Sequence, residues 1–204
     1  ADKASSLKNN PLEELRASPY TLAEDDAPTF IALLGSMFKQ TMMSAALDLP
    51  GAAKSQIGRL VWVEQDRVPI YGIPQVLMAV TRSADMNRTP DVRTRAILPQ
   101  LACTIDITYV APLMTEKTVI NLLSAGGLIS GVGDWRPQKG SGTYGQFTLV
   151  AVEDEAYVEP LKTGGRLPQI KALKDPAFYD QESEELYSRF ETDAEQRGRL
   201  KVAK

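Results

Sequence analysis

The order of apolar and polar residues divides the chain into a central stretch of regular elements between two polar ends. Short apolar or alternating runs bounded by proline and glycine are typical of strands, and they occur at residues 29–37, 59–68, 101–110 and 146–152. Apolar positions three and four residues apart are typical of amphipathic helices, and they occur at residues 39–49, 75–86, 114–123 and 176–200. Together these elements predict an α+β protein.

The predicted core, residues 28–152, has the order of a β-α-β-β-α-β fold. We therefore expect an RRM-like or ferredoxin-like antiparallel sheet with helices on one face and the other face free for a ligand. The inserted residues 87–100 would project as a loop or an extended hairpin arm. Residues 1–27 are expected to form an acidic N-terminal arm with one short turn at residues 12–16, either mobile or docked on a neighbouring subunit or on the home core. Residues 153–204 would form a wrapping linker, to about residue 175, and a C-terminal helix.

The stretch between the helix at residues 114–123 and the strand at residues 146–152 is rich in glycine. It contains seven glycines, two cations and two aromatic rings: Gly126, Gly127, Gly131, Gly133, Gly140, Gly142, Gly145, Arg136, Lys139, Trp135 and Tyr144. Glycine lets a ligand backbone approach closely, cations neutralise phosphates, and aromatic rings stack on bases. The combination favours a binding loop for a single strand, and the alternative is a surface turn whose glycines only close a hairpin. We expect the first two glycines to end or bend the preceding helix.

Known nucleotide-binding motifs do not fit this stretch. The run GDWRPQKGS departs from the GxxxxGK[ST] spacing of a P-loop, and the glycines at 131 and 133 are not followed by the third glycine of GxGxxG. The loop also follows a helix and precedes a strand, which is the reverse of the dinucleotide-binding arrangement. A mononucleotide site is therefore not expected.

The chain has one cysteine and no histidine. This composition excludes a zinc site of the usual Cys/His type and any Ser–His or Cys–His nucleophilic pair. Cys103 lies in an apolar alternating run and is expected to be a buried, inert thiol. The candidate acid–base aspartates Asp48, Asp66, Asp106 and Asp134 are isolated from each other in sequence, so we expect no enzyme and no cofactor.

The net charge of −3 is unevenly distributed. Residues 27–152 carry 11 Lys/Arg against 8 Asp/Glu, a net of +3, whereas residues 1–26 and residues 153–204 each carry a net of −3. A mildly basic centre between acidic ends suits a binding face on the core, although an ordinary solvated surface explains it equally well. No apolar run reaches the ~18–20 residues of a membrane span and no signal peptide is evident, so we expect an intracellular, cytoplasmic protein.

Two segments resemble the RAMP superfamily of CRISPR proteins. Residues 127–150, GLISGVGDWRPQKGSGTYGQFTLV, are similar to the C-terminal glycine-rich loop of that family, and residues 67–82, RVPIYGIPQVLMAVTR, are similar to a segment of its backbone subunits. The resemblance implies an RRM-like fold, a glycine-rich loop that contacts RNA, and assembly with copies of itself. The Asp-Trp-Arg-Pro run departs from the usual loop and is closer to small phage-encoded proteins of this type.

The resemblance also extends the set of candidate residues. Thumb-like inserts of the backbone subunits imply a phosphate-tracking arm, whose candidates here are Arg88, Arg93 and Arg95; a solvated hairpin is the alternative. Loops after the first strand face the same ligand in that family, which adds Lys39 and Gln40. Some backbone subunits cleave RNA with an aspartate in an early loop, and Asp48 is the nearest counterpart.

The leading hypothesis is a non-enzymatic protein that binds single-stranded RNA or DNA and assembles along it as an oligomer or filament. Its expected binding residues are Lys39, Arg88, Arg93, Arg95, Gly131, Gly133, Trp135, Arg136, Lys139, Gly142 and Tyr144. The first alternative is a structural, phage or cellular subunit that assembles without nucleic acid. The second is a metal-dependent nuclease that uses aspartates. A phage-infected bacterial cell is one setting for such a protein.

Overall fold

The computed structural model describes residues 10–49, 53–82, 90–139 and 142–196. Within them the chain forms seven helices and seven short strands, which confirms the α+β prediction. Their order is α1 (Pro11–Ala17), β1 (Tyr20–Thr21), β2 (Ile31–Leu34), α2 (Gly35–Ala45), α3 (Lys54–Leu60), β3 (Val61–Val63), β4 (Arg67–Pro69), β5 (Gln75–Arg82), β6 (Pro90–Ile97), β7 (Ile107–Tyr109), α4 (Glu116–Ile129), α5 (Glu155–Thr163), α6 (Arg166–Lys174) and α7 (Gln181–Gln196).

The strands of the described residues form three small antiparallel sheets. Their orders are β1-β2-β4, β3-β7 and β5-β6. β2 pairs antiparallel with β4, with Ala32 opposite Pro69, whereas β3, the first strand after α2 and α3, pairs with β7 in a separate sheet. The described residues therefore do not contain the single four-stranded sheet that the element order predicts.

The first core lies between α2, α3, β3 and α4. Its fully buried side chains include Met42 on α2, Ile57 on α3, Val61 on β3 and Leu122 on α4. Each such side chain contributes about 1.5–3 kcal/mol by leaving water. This core fixes α4, and through it the start of the glycine-rich stretch.

The second core joins the two ends of the chain. Leu15 from α1, Ile31 from β2, Met78 from β5 and Leu173 from α6 are buried together. The N-terminal arm thus docks on its own chain, which is one of the outcomes expected for it. The predicted boundaries at residues 27 and 152 do not isolate the core, because elements outside them complete it.

The N-terminal helix caps the outer edge of β6. Asn10 accepts hydrogen bonds from the first backbone N–H groups of α1, and Pro11 occupies the first turn, which explains why a helix starts here. On its other side α1 faces the strand: the Glu14 carboxylate accepts the Thr94 N–H at 3.1 Å, and Ser18 Oγ accepts the Ala96 N–H at 2.9 Å. Side chains of α1 therefore take the place of a further strand.

The opposite edge of the hairpin, on β5, is capped by the C-terminal region. The Val76 N–H donates to the Ala177 carbonyl at 2.9 Å, and the Tyr179 N–H donates back to the Val76 carbonyl at 2.9 Å. The Met78 N–H donates to Ser183 Oγ at 2.9 Å. Both edges of this two-stranded sheet are thus covered by the chain itself, which stabilises a hairpin that would be marginal alone.

The helix predicted at residues 75–86 is wrong. Residues 75–82 form β5, which pairs with β6 along its whole length, and residues 83–86 lie outside the described residues. Residues 76–78 are all buried, so this strand lacks the alternation of apolar and polar residues by which a sequence distinguishes a strand from a buried helix. Pairing with β6 therefore decides that these residues form a strand. Of the two forms predicted for residues 87–100, a loop or an extended hairpin, β6 has the hairpin form.

Several predicted strands are shorter than expected. The run at residues 29–37 is a strand only in β2, and its last part begins α2. The run at residues 59–68 contains the end of α3 followed by β3 and β4. In the run at residues 101–110 only β7 is a strand, with a separate bridge between Ala102 and Tyr71. The strand expected at residues 146–152 is not formed, because no described residue pairs with it.

The helices follow their sequence signals more closely. The short turn near the N-terminus is α1, the C-terminal helix is α7, and Thr115 caps α4 by accepting the Thr118 N–H at 3.3 Å. α4 does not end at residues 125–127 but continues to Ile129, since Gly126 packs against Thr41 on α2. The linker expected at residues 153–175 is wrong, because most of it forms α5 and α6.

One buried amide connects these parts. Gln169 on α6 is fully buried, and its Oε1 accepts the N–H groups of Phe30 at 2.8 Å and Ile31 at 2.9 Å. Its Nε2 donates to the carbonyls of Ile70 at 2.7 Å, Gly72 at 3.1 Å and Gly164 at 2.9 Å. A single side chain thereby satisfies buried backbone groups of two distant segments, residues 30–31 and 70–72, and of the nearby Gly164.

We expect Gln169→Leu to reduce the free energy of unfolding by about 3–5 kcal/mol, because it leaves several buried backbone groups unpaired. Urea denaturation would measure this loss. Gln169→Glu is the matched control: its carboxylate accepts the two N–H groups but cannot donate to the carbonyls, so it should also destabilise strongly. A loss below about 1 kcal/mol for both variants would contradict the role assigned to this amide.

Candidate nucleic-acid interface

The glycine loop, residues 130–146, is a closed structure held by its own backbone. The Val132 N–H donates to the Gly145 carbonyl at 2.8 Å, which joins the two ends of the loop. Further in, the Tyr144 N–H donates to the Trp135 carbonyl at 3.2 Å. Such closed loops have a defined shape that can position side chains. Gly140 and Ser141 lie outside the described residues.

The glycines of this loop have different roles. Gly145 has φ +74°, and a β-carbon there would lie 1.8 Å from the Val132 carbonyl oxygen, so the closure requires glycine. Gly142 packs equally closely against the Trp135 backbone, and Gly131 against Gly145. Gly133 has φ +80° but no neighbour within 4 Å of its position. Among the predicted glycines, Gly133 alone faces open space, while the other described ones maintain the fold of the loop.

A cationic cleft lies between the glycine loop and the helices α2 and α3. It has a volume of about 420 Å³ and is lined by Gln40, Met43, Ser44, Lys54, Arg136, Gln138 and Lys139. The Gln138 amide donates to Ser44 Oγ at 2.7 Å, and the Arg136 guanidinium donates to the Gly133 carbonyl at 2.8 Å. The first of these bonds holds the loop against α2, and the second orients the guanidinium within the loop.

The cations of the cleft are not neutralised within the described residues. Lys54 and Lys139 are exposed and Arg136 is half-buried, and none of the three forms an ion pair with a described carboxylate. Three positive groups in one concave site attract an anion. The cleft therefore has the charge and shape of a phosphate-binding site.

An aromatic pair lies in the same glycine loop. The rings of Trp135 and Tyr144 stack with centroids 6.2 Å apart and an interplanar angle of 29°. Trp135 has φ +52°, a backbone conformation that is strained for a bulky residue and that is found at functional positions. The pKa of Tyr144 is raised, first by partial burial and then by the nearby Tyr179 and Asp180, so its hydroxyl stays protonated at neutral pH.

The arginines of the hairpin are engaged by carboxylates. Arg95 lies 2.8 Å from the Glu14 carboxylate and 3.7 Å from that of Asp134. Arg93 lies 2.9 Å from Asp91 and 3.5 Å from Glu14. Both side chains lie on one face of β6, as expected for an extended arm. Their charges are, however, largely balanced within the chain, unlike those of the cleft.

The remaining predicted residues lie apart from the cleft. Lys39 packs over the Trp62 ring, with its Nζ 5.6 Å from the ring centroid, and Arg88 lies outside the described residues. The structure thus brings Arg136 and Lys139 together with further side chains that the binding-site prediction omitted, among them Lys54, Gln138 and Ser44. Lys54 is far from the glycine loop in sequence, and no sequence signal connects the two.

The groups considered for catalysis are dispersed or shielded. Asp48 is exposed just beyond the end of α2, and the described residues contain no cluster of three Cys, Asp or Glu that could hold a metal ion. Burial raises the pKa of the Cys103 thiol to about 11, so this thiol is protonated at neutral pH. In the described part of the chain, no helix combines the length and the apolar character needed to cross a membrane.

We expect Gly145→Ala to lower the free energy of unfolding by about 2 kcal/mol or more, because it adds a backbone clash to an unfavourable φ. Gly133→Ala meets no neighbour and should cost only about 1 kcal/mol, from backbone strain alone. Urea denaturation of the two variants would measure the difference. Equal losses would show that the carbonyl of Val132 does not constrain the closure of the loop.

The shape of the loop and the cleft follows from the contacts within the chain described above. Comparisons with protein-family models, with curated proteins and with solved structures gave no match. What the cleft can bind must accordingly be inferred from its charges, its rings and its shape.

Proposed function

We propose that the protein binds single-stranded nucleic acid, RNA or DNA, without catalysing a reaction, and that its copies assemble along the strand. The observation that carries the proposal is a cleft whose three cations have no ion-pair partner among the described residues, lined by a loop that also carries a stacked pair of aromatic rings. Proteins that bind single strands without sequence preference combine these two features, since cations follow the phosphates and rings stack on the bases. Such a ligand implies an intracellular, cytoplasmic site of action.

Each part of the site has a distinct role in the proposal. Arg136, Lys139 and Lys54 would neutralise phosphates, and the Gln40 and Gln138 amides would donate hydrogen bonds to sugar or phosphate oxygens. Trp135, which directly precedes Arg136 in the loop, would stack on a base. Gly133 leaves open space in which a strand can approach the backbone closely.

The proposal includes a relationship to the RAMP backbone subunits and their RRM-like fold. The order of parts supports it: α2 follows β2, the β5–β6 hairpin is inserted between β4 and β7, and α4 leads into the glycine loop. In this relationship the hairpin corresponds to the thumb-like insert, and the loop corresponds to the one that contacts RNA.

A structural subunit that assembles without nucleic acid is the second candidate. The observation that favours it is the neutralisation of Arg93 and Arg95 by Glu14, Asp91 and Asp134, which leaves the hairpin little charge for a phosphate. In that case the cationic cleft would bind a carboxylate of a neighbouring protein instead of a strand.

Removing two cations of the cleft should weaken binding to every sequence. For Arg136→Ala with Lys139→Ala, we expect the slope of log affinity against log salt concentration to fall by roughly 0.7 for each phosphate that is no longer neutralised. Fluorescence anisotropy of a labelled oligonucleotide, titrated at several salt concentrations, would measure the slope. Lys162→Ala with Lys171→Ala, which removes the same charge from α5 and α6, is the matched control. Equal slopes and affinities for both double variants would favour the structural subunit.

Neutralising Glu14 tests the hairpin arginines separately. Glu14→Gln keeps an oxygen that can accept the Thr94 N–H but removes the charge that faces Arg93 and Arg95. If these arginines contact phosphates, we expect a several-fold higher affinity for the oligonucleotide and a steeper salt dependence. Glu13→Gln, one residue away and exposed, controls for net charge. The same affinity for Glu14→Gln and Glu13→Gln would show that the hairpin arginines are structural only.

A further inference from the structure

The strand-like segment after the glycine loop has no partner in the described chain. Residues 146–151 run without helix, turn or bend, and they belong to none of the sheets. The sequence QFTLVA is apolar and rich in residues that favour strands. Leu149 is 43% exposed and Val150 is 44% exposed. The unpaired segment, residues 147–151, therefore offers apolar side chains and free backbone groups to a further molecule.

One edge of this segment faces its own chain and the other is open. The Phe147 N–H donates to the Gly127 carbonyl at 3.1 Å, and the Gln146 side chain donates to the Leu128 carbonyl at 2.8 Å, so the start of the segment is fixed on α4. Backbone groups of a strand alternate between its two edges. The N–H and C=O groups of Thr148 and Val150 thus point to the edge opposite that of Phe147, and no described residue bonds to them.

We propose that two copies of the protein pair through this edge, as antiparallel strands centred on Leu149. Thr148 of each copy then exchanges both hydrogen bonds with Val150 of the other, and the two Leu149 side chains face each other in the closer, non-hydrogen-bonded position. The inference rests on the self-assembly in the proposed function and names its surface. The interface has twofold symmetry, so each copy contributes the same residues.

The distribution of charge selects the second copy and the antiparallel direction. The segment is uncharged, but Glu153, Asp154 and Glu155 follow it directly after Val152. Parallel pairing in register would place these two acidic triplets side by side, which is unfavourable. Antiparallel pairing separates the two triplets and brings each towards the glycine loop of the other copy, which carries the cations Arg136 and Lys139. The same chain thus supplies both the strand and the complementary charge.

Disulfide crosslinking tests both the pairing and its register. In a Cys103→Ala background, Leu149→Cys should give a covalent dimer on mild oxidation, since the two α-carbons would lie about 4.5 Å apart, within disulfide range. Ala151→Cys is the matched control, because position 151 would oppose position 147 and lie about 14 Å from its own copy. Dimer yields no higher than in the cysteine-free parent, or equal yields for both variants, would overturn the proposal.

A second variant tests the hydrogen bonds without a crosslink. Val150→Pro removes an N–H from the open edge, and Val150→Thr keeps it together with the β-branched shape. Light scattering in the absence of nucleic acid should show monomers for Val150→Pro and oligomers for Val150→Thr and the unmodified protein. Equal masses for the two variants, or a monomeric unmodified protein at all concentrations, would refute the pairing.

The outcomes separate this inference from the proposed function. Binding of a short labelled oligonucleotide to Val150→Pro reports on the cleft alone. Loss of the oligomer with retained binding supports both ideas. If Val150→Pro abolishes the oligomer and neither this variant nor the unmodified protein binds the oligonucleotide, the pairing is supported and the nucleic-acid proposal is refuted. Retained binding with unchanged oligomers keeps the proposed function and discards this interface.

Discussion

The fold depends on the burial and full hydrogen bonding of Gln169. Its amide joins α6 to the start of β2 and to the chain that follows β4, segments that are about one hundred residues or more from it in sequence. An apolar side chain of similar size could fill the space but could not bond these backbone groups, which are shielded from water. A neighbouring backbone hydrogen bond joins the same segments: the Gly72 N–H donates to the Gly164 carbonyl at 3.0 Å. The terminal regions are consequently part of the core and not additions to it.

This arrangement determines which surfaces remain free. Because α1 lies on β6 and the region before α7 lies on β5, the hairpin has no open edge, and its arginines already face carboxylates. Two regions of the described chain have charges or backbone groups that no described residue engages. One is the cationic cleft beside the glycine loop, and the other is the unpaired segment that follows this loop. Function is therefore best sought at these two places.

Local signals made part of this structure predictable. The spacing of apolar residues at 114–123 and 176–200 predicts α4 and α7, because such a signal acts within a few residues of its position. The glycine loop was also recognisable, since glycines, cations and aromatic rings are close together in sequence. Its cations Arg136 and Lys139 were identified as candidate binding residues for this reason.

Long-range contacts decided what the sequence could not show. Residues 76–78 fit a buried helix or a buried strand, and pairing with β6 settled the matter. α5 and α6 each contain a proline, and Gly164 and Gly165 lie between them, so this stretch has the composition of a linker. α6 is held in place by Gln169, whose hydrogen bonds go mainly to backbone groups far away in sequence. Lys54 joins the cleft only because α3 packs on α2. Residues 67–82 resemble a family segment in which a helix follows the prolines, but in this chain residues 75–82 form the strand β5.

The two free surfaces are adjacent in the chain, and this links binding to assembly. Gly145 closes the loop that shapes the cleft, and the unpaired segment begins two residues later at Phe147. Pairing between copies would bring the acidic residues 153–155 of one copy towards the cationic loop of the other. Acidic groups near that loop would hold the cations in place but also compete with phosphates for them. A strand bound in the cleft and a second copy on the segment would therefore influence each other through Arg136 and Lys139, and by linkage each would change the affinity for the other by the same factor.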